Sequence, residues 1–184
     1  MYVGHVGIAL ALRSKRAAPP LWLLVFAAQG PDWGDAVAES LGRPAAQTGW
    51  SPHGLPLLEA GAVLAAALAF VVNRRRLARG EVDDDAPGRG AILAFFAYVS
   101  HWIADLFTGF KPTWPGGPVA GLGWYSFPRR DFVLEAVVVI AGWLVWRRSL
   151  PDARGKLLPW ALLAALLTLQ AAADAVMWHR ALFT

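Results

Sequence analysis

Six apolar blocks separated by polar turns run along the chain, at about 2–12, 20–32, 56–73, 90–107, 131–147 and 157–178. The last four approach the ~20 residues that a helix needs to cross a bilayer. The first two are short, rising only ~18–20 Å at ~1.5 Å per residue against a ~30 Å hydrocarbon core. The pattern predicts an all-α fold, a polytopic transmembrane helical bundle with four full spans. To these it adds an N-terminal helical hairpin over 2–32 that penetrates partway and packs inside the bundle, the one place where irregular backbone is tolerated at that depth. The stretch 109–130, GFKPTWPGGPVAGLGWYSFPRR, has no helical periodicity but is rich in aromatics. We expect an ordered outer cap loop there, shaping access to the bundle. No internal repeat is visible, so residues 1–184 are read as a single integral membrane domain.

Composition supports this reading. Hydrophobic residues make up 57% of the 184 positions and the mean hydropathy is +0.42, above the ~45–50% apolar share of a soluble domain. A net charge of +4 and a pI near 10.0 raise the question of nucleic acid. The basic residues cluster at the ends of apolar blocks, however, where they set membrane orientation, and we expect no nucleic-acid partner. Twelve Lys and Arg in the turns at 13–16, 74–89 and 147–156 face five on the other side, Arg43, Lys111, Arg129, Arg130 and Arg180. The first set is therefore read as cytoplasmic. Trp22, Trp143, Trp146 and Trp160 fall near that interface, Trp33, Trp50, Trp114 and Trp178 near the opposite one. Asp83–Asp85 reads as a solvated linker. Arg13, Lys15 and Arg16 before LWLLVFAA imitate a signal peptide, but residues 1–12 are already apolar, so we expect the segment to be retained. There is no cysteine, which excludes disulfides, thiolate ligands and a cysteine nucleophile.

Ionisable residues inside membrane-length segments are costly and mark function. His101 and Asp105, four apart in HWIAD, share one helix face and can hold one ion between them. His with Asp suits a hard or borderline divalent metal such as zinc, with manganese as the alternative. Counting up from the cytoplasmic ends puts His5, Asp32, His101, Asp105 and Glu135 in one layer ~12–22 Å up, at or just outside the midplane. His53, in WSPHGLPLLE, falls at ~30 Å on a straight count and must dip inward to join them. His5, Asp32, His53, His101 and Asp105 are the candidate metal ligands, and Glu135 the candidate general base or additional ligand. The plainer alternatives are a buried His–Asp hydrogen bond for His101 and Asp105, a helix-boundary turn for Asp32, and a helix-to-helix hydrogen bond for Glu135. Asp35 is read as solvated, Glu59 and Asp174 as structural, and His179 as a surface residue. Arg129 and Arg130 read as membrane anchors that could also bind an anionic headgroup.

The ordered set Gly4-His5, Pro31-Asp32, His53 and His101-x-x-x-Asp105 resembles a family of bacterial inner-membrane metal-dependent hydrolases, which includes a LexA-regulated member. WPGGPVAGLGWYS followed by a Glu-bearing helix is similar to a subgroup of those small membrane proteins. The resemblance covers most of the chain. Family members often carry an acid two residues after the PD aspartate, where this chain has Gly34 and places Asp35 one further on. They read HRGxTHS around the histidine before the third block, where this chain reads GWSPHGL.

The resemblance implies a multi-pass protein of the bacterial cytoplasmic (inner) membrane. Together with the ligand set it leads to an expected metal-dependent hydrolase, acting from the extracytoplasmic side on an ester or phosphoester. Membrane lipid surrounds such a site, which suits a lipid-like or anionic substrate. A non-enzymatic protein that binds or transports a metal ion or protons would use the same residues, but it needs a polar route to both faces. Haem held by His5 and His101 is a third option, and a purely structural bundle a fourth.

Overall fold

The computed structural model describes residues 3–15, 17–43, 50–150 and 157–183, with side chains as far as 176. Arg16, the 151–156 turn and the side chains of Trp178, His179 and Arg180 lie outside the described residues. Among those described, the chain is all-helical apart from one small hairpin. The helices are α1 (Gly4–Arg13), α2 (Leu21–Ala28), α3 (Gly30–Ser40), α4 (Leu55–Ala78), α5 (Ala86–Thr108), α6 (Pro128–Arg148) and α7 (Leu157–Phe183). Between α5 and α6 lie strands β1 (Lys111–Pro112) and β2 (Val119–Ala120), then a 3-10 turn over Trp124–Ser126.

Local chemistry explains the boundaries. α3, α4, α5 and α6 each carry proline in the first turn, where a missing N–H costs nothing and the fixed φ suits the helix. Gly80, at φ 69°, closes α4 in the left-handed region that glycine enters freely. α1 and α2 are two short helices that pack against each other. The block expected to run from 20 to 32 instead breaks at Gln29, and a separate α3 continues to Ser40. Pro31 causes the break, because within a continuous helix it would remove a hydrogen bond and clash with the preceding turn.

α4 packs along α5 and α1 along α6, α2 joins the two pairs, and α7 lies on α6. The contact faces are built from small residues: Ala62, Ala65 and Ala69 on α4, Ala94, Ala97 and Ala104 on α5. Where α1 crosses α6 the backbones touch. A Cβ on Gly7 would lie 2.7 Å from the Val138 carbonyl oxygen, and one on Gly142 would collide with the carbonyl of Gly7. Close crossings through small residues are the way helices associate in lipid.

Three helices are long and apolar enough to cross a membrane: Leu55–Ala78, Ala86–Thr108 and Leu157–Val176. α6, expected as a fourth span over 131–147, falls short on composition, since every 18-residue stretch of it holds four charged side chains. The radial pattern is that of a protein in lipid. Leu64, Ile92, Phe96, Ile103 and Val137 face outward, while His5, Asn73, His101, Asp105, Asp131, Glu135 and Gln170 are buried. At the arginine-bearing end of α4, the Asn73 amide donates to the carbonyls of Ala17 (3.1 Å) and Ala86 (2.9 Å). Arg76 donates to Ala18 (3.2 Å) and to the Asn73 side chain (3.0 Å). This pins the α1–α2 turn to α4 and α5.

Candidate metal centre

Three segments supply the centre. α5 delivers His101 and Asp105 one turn apart on its buried face. The first turn of α3 delivers Asp32, which its new start at Gly30 aims at α5. The turn before α4 delivers His53, which dips inward until it is 3% exposed. Donor atoms of Asp32, His53, His101 and Asp105 all lie within 4.8 Å of one another.

Their separations would fit a coordination shell. His53 Nε2 lies 3.0 Å from His101 Nε2. Asp105 Oδ2 lies 3.3 Å from each of these nitrogens, and Asp32 Oδ1 lies 3.4 Å from His53 Nε2 and 3.5 Å from His101 Nε2. A tetrahedral ion with bonds of ~2.0–2.1 Å spaces its donors ~3.3–3.4 Å apart. The lone pairs are turned inward by the partners behind them. His101 Nδ1 donates to the Ala28 carbonyl at 2.8 Å, which leaves Nε2 as the acceptor nitrogen. His53 Nδ1 meets Asp35 Oδ2 at 2.9 Å, the carboxylate–histidine arrangement that orients a metal-binding imidazole. Facing lone pairs at these distances repel unless a cation, metal ion or proton, sits among them. Burial alone would lower the basicity of His53, but Asp105, Asp32 and Asp35 outweigh it and push its pKa up to about 10.

His5 stands one bond behind. Its Nε2 meets the other oxygen of Asp105, Oδ1, at 3.2 Å, and its ring stacks on His101 with centroids 3.8 Å apart. It supports Asp105 and walls the site. The same stacking leaves no room for a haem between His5 and His101. Glu135 is occupied elsewhere: its Oε2 accepts from the backbone N–H groups of Val3 and Gly4, each at 2.7 Å, so it caps the start of α1. Beside it Gln170 donates to Asp174 at 3.1 Å, forming a second polar layer between α6 and α7.

Two further residues reach the site. Asp35, expected to be solvated, is three residues after Asp32 on one helix, a spacing that signals a shared face. Lys111, counted only as an outer-side charge, places Nζ 2.6 Å from Asp105 Oδ2. Comparison with known proteins yields no matching family model, curated protein or solved structure.

Proposed function

We propose that this chain is a membrane-embedded metal-dependent hydrolase of the bacterial cytoplasmic membrane, working from the extracytoplasmic side on an ester or phosphoester. The observation that carries the reading is the convergence of two imidazole nitrogens and two carboxylate oxygens within 4.8 Å of one another, each nitrogen lying 3.0–3.5 Å from the other three atoms. The order of these residues in the chain, shared with the hydrolase family it resembles, points the same way.

Asp32, His53, His101 and Asp105 would hold a divalent ion, zinc by their mixed nitrogen and oxygen donors or else manganese, which would supply an acidified water, with a pKa of about 7, and a Lewis acid for the scissile oxygen. The protein's own groups do the rest. Ala28 and Asp35 hold the two imidazoles in the ligating tautomer, and His5 steadies Asp105. Glu135 Oε2 is committed to capping α1, and Asp32, which is 41% exposed, carries the ligand set out to the mouth where water and substrate enter.

We assign α6 as a fourth span, with Asp131 and Glu135 turned inward and arginine pairs at both ends. α3 lies at the outer interface, because Trp33, Val37 and Leu41 project at four-residue spacing and are exposed. That brings lipid beside Asp32 and suits a lipid-like or anionic substrate. The carrier alternative needs a polar route to both faces, and the described residues favour a one-sided site. One turn toward the proposed cytoplasmic side from His5, Ala28 and His101 the residues are Ala9, Leu24 and Ala97, packed with Ala65 in an apolar cluster.

Elemental analysis of detergent-purified protein, wild type beside His101→Ala, tests the reading together with turnover of bis-p-nitrophenyl phosphate. We expect wild type to hold a divalent metal and hydrolyse the ester, and the variant to lose both. Undiminished hydrolysis by metal-free protein would end the proposal.

A further inference from the structure

We infer that Lys111 and the β1–β2 hairpin form an anion subsite above the metal centre, so that the molecule bound there carries a phosphoryl group. This inference rests on the hydrolase reading and selects the charged phosphoester over a neutral ester.

The subsite is built into the fold. Lys111 lies in β1, paired with Ala120. Two residues on, the Thr113 carbonyl accepts from Leu55 N–H at 2.9 Å, which ties the strand to the start of α4, two residues after His53. The lysine side chain is thereby led inward and is only 16% exposed. Its stem passes Gly109 beside the ring of Tyr125. A Cβ on that glycine would lie 3.3 Å from Lys111 Cε and 3.4 Å from Tyr125 Cε2.

The ammonium meets Asp105 Oδ2, the same oxygen that both imidazoles face. A carboxylate oxygen has two lone pairs and can serve a metal and an ammonium together. Two carboxylate ligands, Asp32 and Asp105, already balance a divalent ion, and Asp35 is turned to His53. The ammonium then stands beside the metal as an additional positive charge at the mouth. Repulsion between the two cations is relieved when an anion bridges them, and a phosphoryl group offers one oxygen to each. A neutral carboxylic ester offers no such charge.

The test uses inorganic phosphate as the probe and the zinc-loaded, detergent-purified full chain. Calorimetry should show phosphate binding by wild type, weakened about tenfold or more in Lys111→Met, with zinc content unchanged. Lys111→Arg should restore most of it. Without any variant, phosphate should protect Lys111, but not Lys15, from amine-directed labelling read by mass spectrometry. Equal phosphate affinity in wild type and Lys111→Met, or equal labelling of Lys111 with and without phosphate, overturns the subsite. Nanodiscs with phosphatidic acid separate the sources: Lys111-dependent binding of that lipid identifies a headgroup, and binding of inorganic phosphate alone a soluble phosphate. Lys111-dependent phosphate binding in a protein that hydrolyses no ester keeps the subsite and removes the hydrolase reading. Hydrolysis with phosphate binding indifferent to Lys111 does the reverse.

Discussion

At the level of single residues, the groups behind the donors decide how well the centre works. Asp35 meets His53 at its far nitrogen, 2.9 Å away, and Asp35→Asn keeps the volume of the side chain and removes its charge. We expect a 10–100-fold loss of zinc affinity, roughly what a missing outer partner costs elsewhere, with the fold intact; competition against a calibrated chelator measures it. His53 also makes metal binding depend on pH. Its pKa, near 10 in the metal-free fold and ordinarily about 6.5, keeps the ring charged at pH 7, and zinc must displace that proton. We therefore expect affinity for a divalent metal to rise with pH toward about 10, and titrations in buffers of different ionisation enthalpy should report proton release. For the metal-free protein the sign is opposite. The raised pKa contributes stability that is fully present below about 6.5 and fades as pH climbs through 10. His101 and Asp105 were legible because one helical turn separates them. Lys111 was not, since neither period nor spacing says which way a side chain points in a loop of glycine, proline and aromatics.

At the level of elements, α1 is held from both ends of its contact with α6. Glu135 caps its first turn, and the crossing of Gly7 with Gly142 sets how near the two helices come. Glu135→Ala leaves two buried N–H groups without that acceptor and should cost about 1–3 kcal/mol each at most, read as a lower midpoint of thermal unfolding. Glu135→Gln keeps an acceptor oxygen and should recover much of it. A Gln variant that is stable and metal-loaded yet inactive would return Glu135 to a catalytic role. Gly142→Leu should separate α1 from α6 and disturb His5 along with them, lowering both stability and metal content. The two short N-terminal helices were foreseen from the lengths of their apolar blocks. α3 was not, because Pro31 reads equally as the end of one helix and the beginning of another.

On the scale of the whole molecule, polar groups gather on the bundle axis and large apolar side chains face out, the arrangement that lipid demands. Block lengths made this legible before any coordinates. The number of spans was less so, because α6 carries charge for capping and for its arginine-bearing ends rather than apolar residues alone. Orientation is open to direct measurement, since the chain has no cysteine of its own. Val119→Cys, on the exposed hairpin, should react with a membrane-impermeant maleimide in intact cells. Arg79→Cys, past the end of α4, should react only after the membrane is opened. Both reacting from the same side would place α4 and α5 outside the bilayer.

All four close-set donors belong to the part of the chain that ends at Asp105, whereas α6 and α7 follow it. The ribosome has therefore synthesised every candidate ligand before it begins the last two helices. Ion capture can precede their insertion, and a bound cation would give the nascent half-bundle a template on which the remaining helices close as an outer wall.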